Sequence, residues 1–258
     1  MTQKEILLTG GNVNASVVRI GNTVRRHMTS ASPAIHQLLL HLESKGFAGS
    51  PRFLGIDEKN REILSFVDGD TGIPTSIWQR YDALIAAANL LRAYHDATLD
   101  FTFCEHPVWA YSYPLTEHHE VICHNDFAPY NFVYNSGRPI AVIDFDLAGP
   151  GPRLRDVAYA AYWIVPLSFN STDQLEFVQA DLKNGSHRLH LFCETYGIPV
   201  GEELLNMIAE VLAHMSSEEK MQQVLGTCAA AKLKDGGHLA HWQRELMAFQ
   251  QNRSCISI

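Results

Sequence analysis

Three side chains between positions 126 and 144 have the types and spacing to share a cation and move a proton. They are a carboxylate at Asp126, a carboxamide at Asn131 and a second carboxylate at Asp144. The loop formers Asn135-Ser136-Gly137-Arg138-Pro139 separate Phe132-Val133-Tyr134 from Ile140-Ala141-Val142-Ile143, and that pattern predicts a β-hairpin. Asn131 and Asp144 are equally far from a turn centred between Gly137 and Arg138. In a simple antiparallel register they face each other across the strands, ~5 Å apart on one face. Two oxygen ligands so placed can share a hard cation such as Mg²⁺. Asp126, just before the first strand, is then close enough to act as a base beside the metal.

Such a set suits phosphoryl transfer to a hydroxyl. That reaction needs a metal to neutralise phosphate charge, a base for the hydroxyl proton, and groups that hold a nucleotide in line. A loop around Gly10 and Gly11 lets backbone N–H groups approach phosphate. Arg25, on the strand after that loop, is the expected cationic partner, with Arg26 next in line.

The spacing H-x-D-x-x-x-x-N at His124, Asp126 and Asn131, followed by Ile143-Asp144-Phe145-Asp146, resembles the aminoglycoside phosphotransferase family. The likeness continues through Gly151-Pro152 and Asp156-Val157-Ala158. It takes in Ser65-Phe66-Val67 as a hinge-like segment and 90–95 as the helix before the catalytic loop, and it spans roughly residues 8–165. The resemblance implies a two-lobed protein-kinase-like α+β fold, with ATP or GTP and Mg²⁺ as cosubstrates and a small-molecule hydroxyl as acceptor. It implies Asp126 as catalytic base and Asn131 and Asp144 as metal ligands. His124 and Asp156 become supports of the loop; Asp146, outside that implication, reads as a supporting acid or a substrate contact. The backbone around Ser65, Phe66 and Val67 meets the adenine.

Two positions depart from the family pattern. A lysine is usual on the third strand, where this chain has Arg25 and Arg26; arginine keeps its charge and can bind phosphate oxygens bidentately. A glutamate partner is usual on the following helix, where this chain has His36, with Glu43 further along.

The elements that must hold these residues are legible in the apolar pattern. Segments 5–9, 16–20, 23–26, 51–55 and 63–67 read as strands, with Gly21-Asn22 as a hairpin turn. A helix begins with Ser32 as N-cap and Pro33 at its first position, carries Ile35, Leu38, Leu39 and Leu42 on one stripe, and stops at Gly46. The polar run from Asp68 to Pro74 reads as a linker. Beyond it, helices are expected over 77–95, 156–165, 173–196 and most of 202–251, broken at Gly236-Gly237. Tyr159, Tyr162 and Trp163 read as core. The expectation is a small β-rich nucleotide lobe at 1–68 and a larger, mainly helical catalytic lobe at 69–258, with a ligand cleft between them.

Composition sets the bounds. The 258 residues are 46% hydrophobic and 19% charged, which is ordinary for a globular protein. Residues 1–60 hold seven Lys/Arg against four Asp/Glu (net +3), and the rest hold thirteen against twenty-four (net −11). The basic first segment suits a phosphate-bearing ligand and the acidic remainder a cationic, amine-bearing acceptor. An aminosugar, amino alcohol or amino acid fits that description. The acidity also argues against nucleic acid as a partner. Five cysteines with no CxxC pair argue against a zinc ribbon or a disulfide framework. The histidine pairs His118-His119, His187/His190 and His238/His241 lack acid or thiol partners at zinc spacing. The polar start and the short longest apolar run, 157–165, point to a cytoplasmic protein without a membrane span. Two rival readings carry their own motives. An inactive nucleotide-binding module is suggested by the missing Lys–Glu pair. A metal phosphohydrolase could use His124, Asp126, Asp144 and Asp146.

Overall fold

Half-buried alternation in the first quarter of the chain builds one antiparallel sheet. The computed structural model describes residues 4–8, 17–103 and 107–258; the Gly10-Gly11 loop and Cys104 fall outside them. The strands are β1 (Ile6–Leu7), β2 (Val18–Ile20), β3 (Thr23–His27), β4 (Phe53–Ile56) and β5 (Arg61–Ser65), in the order β1-β2-β3-β5-β4. Ile20 pairs with Thr23 around the expected Gly21-Asn22 turn.

Helix α1 (Ser32–Ser44) covers one face of the sheet. Its stripe of Ile35, Leu38, Leu39 and Leu42 is buried with Leu64 and packs against Val24 and Phe53. Ser32 is not its N-cap, as expected, but its first residue. The cap is Ala31, and the Ser32 hydroxyl instead accepts from the Thr29 N–H at 2.8 Å.

The rest is mainly helical. Helix α2 (Tyr81–Ala97) leads to β6 (Val121–Cys123), and the hairpin β7 (Phe132–Asn135) and β8 (Arg138–Val142) follows. Strand β9 (Gly149–Gly151) pairs with β6, and α3 (Arg153–Ile164) comes next. Then come α4 (Leu175–Lys183), α5 (His187–Tyr196), α6 (Glu202–Ser216), α7 (Glu218–Leu225), α8 (Thr227–Asp235) and α9 (His238–Asn252). The continuous helix expected over 173–196 is cut where Gly185 and Ser186 take positive φ (65° and 55°). The long stretch after 202 breaks at Ser217 and Gly226 as well as at Gly236-Gly237.

The core runs through Tyr94, Phe127, Phe132, Tyr159, Phe192 and Leu212. A buried carboxylate pins α9 to it: Glu245 accepts from Tyr162 (2.8 Å) and Ser168 (2.7 Å). Direct contacts tie the lobes. Val142 N–H donates to Gly49 O at 2.9 Å, His41 Nε2 meets Ala97 O at 2.9 Å, and Lys45 pairs with Asp100 at 2.5 Å. Among the described residues no helix is long and apolar enough to cross a membrane, and Cys123, Cys193, Cys228 and Cys255 are free thiols.

Candidate active site

The hairpin forms where the turn chemistry places it, but in a different register. Ser136 (φ 51°) and Gly137 (φ 73°) make a two-residue turn of the kind that matches strand twist, so Asn135 pairs with Arg138. A bulge between Val133 and Tyr134 then shifts the ladder, and Phe132 pairs with Val142. Asn131 therefore lies opposite Ile143, whose N–H donates to Asn131 O at 2.9 Å, and not opposite Asp144. Asp144 sits one residue further on, in the left-handed region (φ 64°), where the strand ends.

Two buried groups fasten the loop that carries Asp126. The Asp156 carboxylate, at the start of α3, accepts from the N–H groups of His124 (2.6 Å) and Asn125 (2.8 Å) and from His95 Nε2 (3.0 Å). Burial alone would raise the pKa of Asp156, yet the His95 bond and the charges and N–H groups around it hold it below the usual carboxylate value. His124 is fully buried. Its Nδ1 accepts from the Asp126 N–H at 3.3 Å, so the proton belongs on Nε2, which meets Ile143 O at 3.1 Å. Burial lowers its pKa and keeps the ring neutral. One imidazole thus links the backbone of the candidate base to the strand end beside Asp144.

Asp126 is half-buried. Asn131 Nδ2 donates to its Oδ2 at 2.8 Å and to its backbone carbonyl at 3.0 Å, which leaves the Asn131 Oδ1 atom for a cation. Tyr130 O–H donates to the other carboxylate oxygen, and Tyr159 O–H lies 2.7 Å from the Tyr130 oxygen. Burial raises the Asp126 pKa, and the bonds from Tyr130 and Asn131 with the His124 ring work against that rise. Asp144 is pushed up to about 6, first by desolvation and then by the Asp146 charge, with Arg26 opposing. Its side chain is 48% exposed, so solvent tempers the rise.

The cation over these acids is Arg26. Arg25, the expected one, points to the opposite face of β3, where its Nε lies 3.7 Å from Asp57. Side chains alternate along a strand, so a shift of one residue decides which arginine faces the cleft. Arg26 Nη2 is 2.6 Å from Asp146 and Nη1 is 3.5 Å from Asp144, while Nε donates to Glu62. Burial would lower the pKa of Arg26, but the three acids more than offset it and fix the positive charge.

Glu62 answers the missing glutamate partner. It stands directly opposite Arg26 in the β3–β5 ladder and is almost fully buried. His36 Nε2, on α1, holds its second oxygen at 2.6 Å, and the His36 ring stacks on Phe53 with centroids 3.8 Å apart. The carboxylate has moved from the helix to the neighbouring strand, and Glu43 has no part in it. Glu62 and Tyr130 are the site residues that spacing alone did not reveal. The signal for Glu62 was a lone acid beside an apolar strand.

The hinge segment is partly committed already. Ser65 N–H donates to Arg52 O and Phe66 N–H to Asn22 O, each at 2.9 Å, while the Val67 N–H meets no acceptor among the described residues. The Arg19 guanidinium lies 3.5 Å from the Phe66 ring centroid. The carboxylates of Asp144 and Asp146 meet at Arg26, and Asn131 is held against Asp126; hard oxygen donors of this kind suit a divalent cation such as magnesium or calcium. A separate cavity of about 540 Å³, lined by Lys45, Phe47, Leu90, Asp96 and Ile140, contains none of these residues.

Residues 104–192 match the sequence profile of the phosphotransferase enzyme family. The trifolitoxin immunity protein of Rhizobium leguminosarum bv. trifolii is 33% identical over 198 residues, 75% of this chain and 74% of that protein. Among solved structures, the gentamicin complex of APH(2")-IIa superposes with a TM-score of 0.60 at 14% identity, covering 95% of this chain and 91% of that one. The amicoumacin kinase hAmiN, in complex with AMP-PNP, Ca²⁺ and Ami, superposes with a TM-score of 0.63 at 11% identity, covering 94% and 87%. At those identities the likeness is one of fold: a β-rich lobe and a larger helical lobe in the protein-kinase-like arrangement.

Proposed function

The chain belongs to the phosphotransferase enzyme family, the small-molecule kinases of the aminoglycoside phosphotransferase type, and on that footing we propose an ATP- and Mg²⁺-dependent transfer of phosphate to a hydroxyl of a small, amine-bearing acceptor. The observation that carries the reading is the single linked cluster of Asp126, Asn131, Asp144 and Arg26, with His124 and Glu62 holding it.

In this reading Asp126 orients the acceptor hydroxyl and takes its proton. Asn131 Oδ1 and the carboxylates of Asp144 and Asp146 hold the metal, which supplies charge neutralisation for the phosphates when bound. Arg26, kept straight by Glu62, meets the phosphate end, a role the Arg25 position cannot fill. The adenine lies against the 65–67 segment, with Val67 N–H as the free donor. The lobes divide at 1–68 and 69–258, and Gly10-Gly11 belongs to the phosphate loop. ATP use fits a cytoplasmic setting.

The Arg26–Glu62 pair weakens the inactive-module reading, since the ion pair that reading lacked is supplied by another strand. The phosphohydrolase reading needs His124 as a ligand, and both ring nitrogens are engaged. The acidic larger lobe supports a cationic acceptor.

The test is ATP consumption against a panel of aminoglycosides, amino alcohols, amino acids and neutral sugars, with trifolitoxin added because one relative is named for immunity to it. A turned-over acceptor whose phosphorylation falls by about 10³-fold or more in Asp126→Asn is the expected result. Near-normal transfer by that variant would remove Asp126 as the base.

A further inference from the structure

The base is already holding a hydroxyl, and it is not a substrate's. Asp126 has two carboxylate oxygens: Asn131 Nδ2 donates to one and the Tyr130 phenol to the other, with the Tyr159 hydroxyl also beside the carboxylate. These donors differ in freedom. Asn131 is 7% exposed and doubly bonded to Asp126, so it cannot leave without unmaking the loop. Tyr130 is 38% exposed, on the surface side of the carboxylate's donors. Its ring rests at 88° against Trp163, centroids 5.4 Å apart, and Tyr159 O–H holds its oxygen at 2.7 Å. Burial, with Tyr159 and Asp126 beside it, keeps the phenol far from ionising, so it remains a donor.

A hydroxyl that is to be phosphorylated must come within hydrogen-bond reach of the base. The accessible oxygen of Asp126 is where it would come, and the Tyr130 O–H occupies that place. Water is the acceptor a kinase must refuse, because it is always present and needs no recognition. We propose that Tyr130 is a positioning residue that plugs the base against water and is displaced by the true acceptor, with Tyr159 holding the plug in line. This rests on the phosphotransferase reading above. The occupant that removes the plug must replace its O–H···Asp126 bond, so it brings a hydroxyl of its own and packs where the phenol packed, against Trp163.

The experiment uses the full chain with Mg²⁺-ATP and no acceptor, followed by the same protein with an acceptor found in the panel. Tyr130→Phe keeps the ring and removes the plug, and acceptor-free ATP hydrolysis is expected to rise about tenfold, with Tyr159→Phe giving a smaller rise. With acceptor present, Tyr130→Phe is expected to lower KM while kcat holds, because the acceptor no longer competes with the phenol. A merely structural tyrosine would give loss of kcat and no gain in hydrolysis. The rise must vanish in the Asp126→Asn, Tyr130→Phe double variant.

Three outcomes overturn the plug while leaving the phosphotransferase reading intact: transfer to acceptor with unchanged hydrolysis in Tyr130→Phe, a rise that survives Asp126→Asn, or phosphate found on Tyr130 itself by mass spectrometry. A wild-type protein that neither binds nor consumes Mg²⁺-ATP overturns both.

Discussion

At Arg26 one guanidinium meets three carboxylates, and the charge count says what each is for. Glu62 is buried between Arg26 and His36, and their pull holds its pKa below the usual value although burial would raise it. Neutralised there, it serves as an anchor. Asp144 and Asp146 then share what remains of one positive charge, a deficit that suits a dication. Arg26→Ala should reduce kcat/KM by roughly 100-fold, while Arg25→Ala, whose guanidinium meets Asp57 on the far face and the Val24 carbonyl, should stay within about threefold. Arg26→Lys should recover only part, because an ammonium has no planar fork with which to span Glu62 and Asp146 together. Steady-state kinetics on all three variants decides it, and equal losses at positions 25 and 26 would refute the assignment. The proposed base and metal donors could be picked out of the sequence because they lie on one continuous loop and hairpin. The choice between the arginines was not, since it turns on the parity of a strand. Nor was Glu62, which reaches Arg26 only through a pairing between distant segments.

The elements show the same division between local and long-range information. The β7–β8 turn was legible as a cluster, but it centres between Ser136 and Gly137, one position earlier than expected, which carries Asn131 off Asp144; the bulge, not legible at all, returns the pairing by one residue, to Ile143. The linker after β5 was expected, yet its anchoring to the hairpin is a tertiary matter. Asp70 and Tyr134 exchange backbone hydrogen bonds of 2.9 and 2.8 Å, and Gly69 (φ 152°) lets the chains meet. A Cβ there would lie 2.6 Å from Tyr134 O and from Val133 Cγ1. Gly69→Ala should therefore cost about 1–3 kcal/mol and raise the KM for ATP by displacing Val67, read from urea melts and nucleotide kinetics. Helix α6 carries a pH dependence. His214, against the Tyr111 ring, is pushed down to about 3 by burial first and then by Arg155 and Lys220. Unfolded, it takes a proton near its ordinary value of about 6.5; folded, it refuses until far lower. Its contribution is thus fully kept above that value and lost as pH falls toward the folded one, at up to ~1.4 kcal/mol per unit. His214→Gln should flatten the fall in urea midpoint between about pH 6.5 and 4. An unchanged slope would mean the imidazole is not held neutral in the folded protein.

Across the molecule, the two lobes are joined unequally. The back is braced by Val142 to Gly49, His41 to Ala97 and Lys45 to Asp100. The front is crossed by Arg26, reaching from the sheet to Asp146 and Asp144. A ligand that takes the cleft must replace that front contact with its own, phosphates toward Arg26 and metal toward Asp144, and so couple the lobes more tightly than the free protein does. Binding to the folded form alone stabilises it by about 2.7 kcal/mol at a hundredfold excess over Kd. For a chain of this size each kcal/mol moves Tm by about 2–4 °C, so saturating Mg²⁺-ATP should raise Tm by about 5–10 °C. Asp144→Ala removes a proposed metal donor from a partly exposed position and leaves the back brace untouched. In that variant ATP without metal should still give a small shift through Arg26 and the hinge, and adding Mg²⁺ should add little. Equal metal-dependent shifts in the variant and the wild type would place the nucleotide and its cation somewhere other than between Arg26 and Asp144.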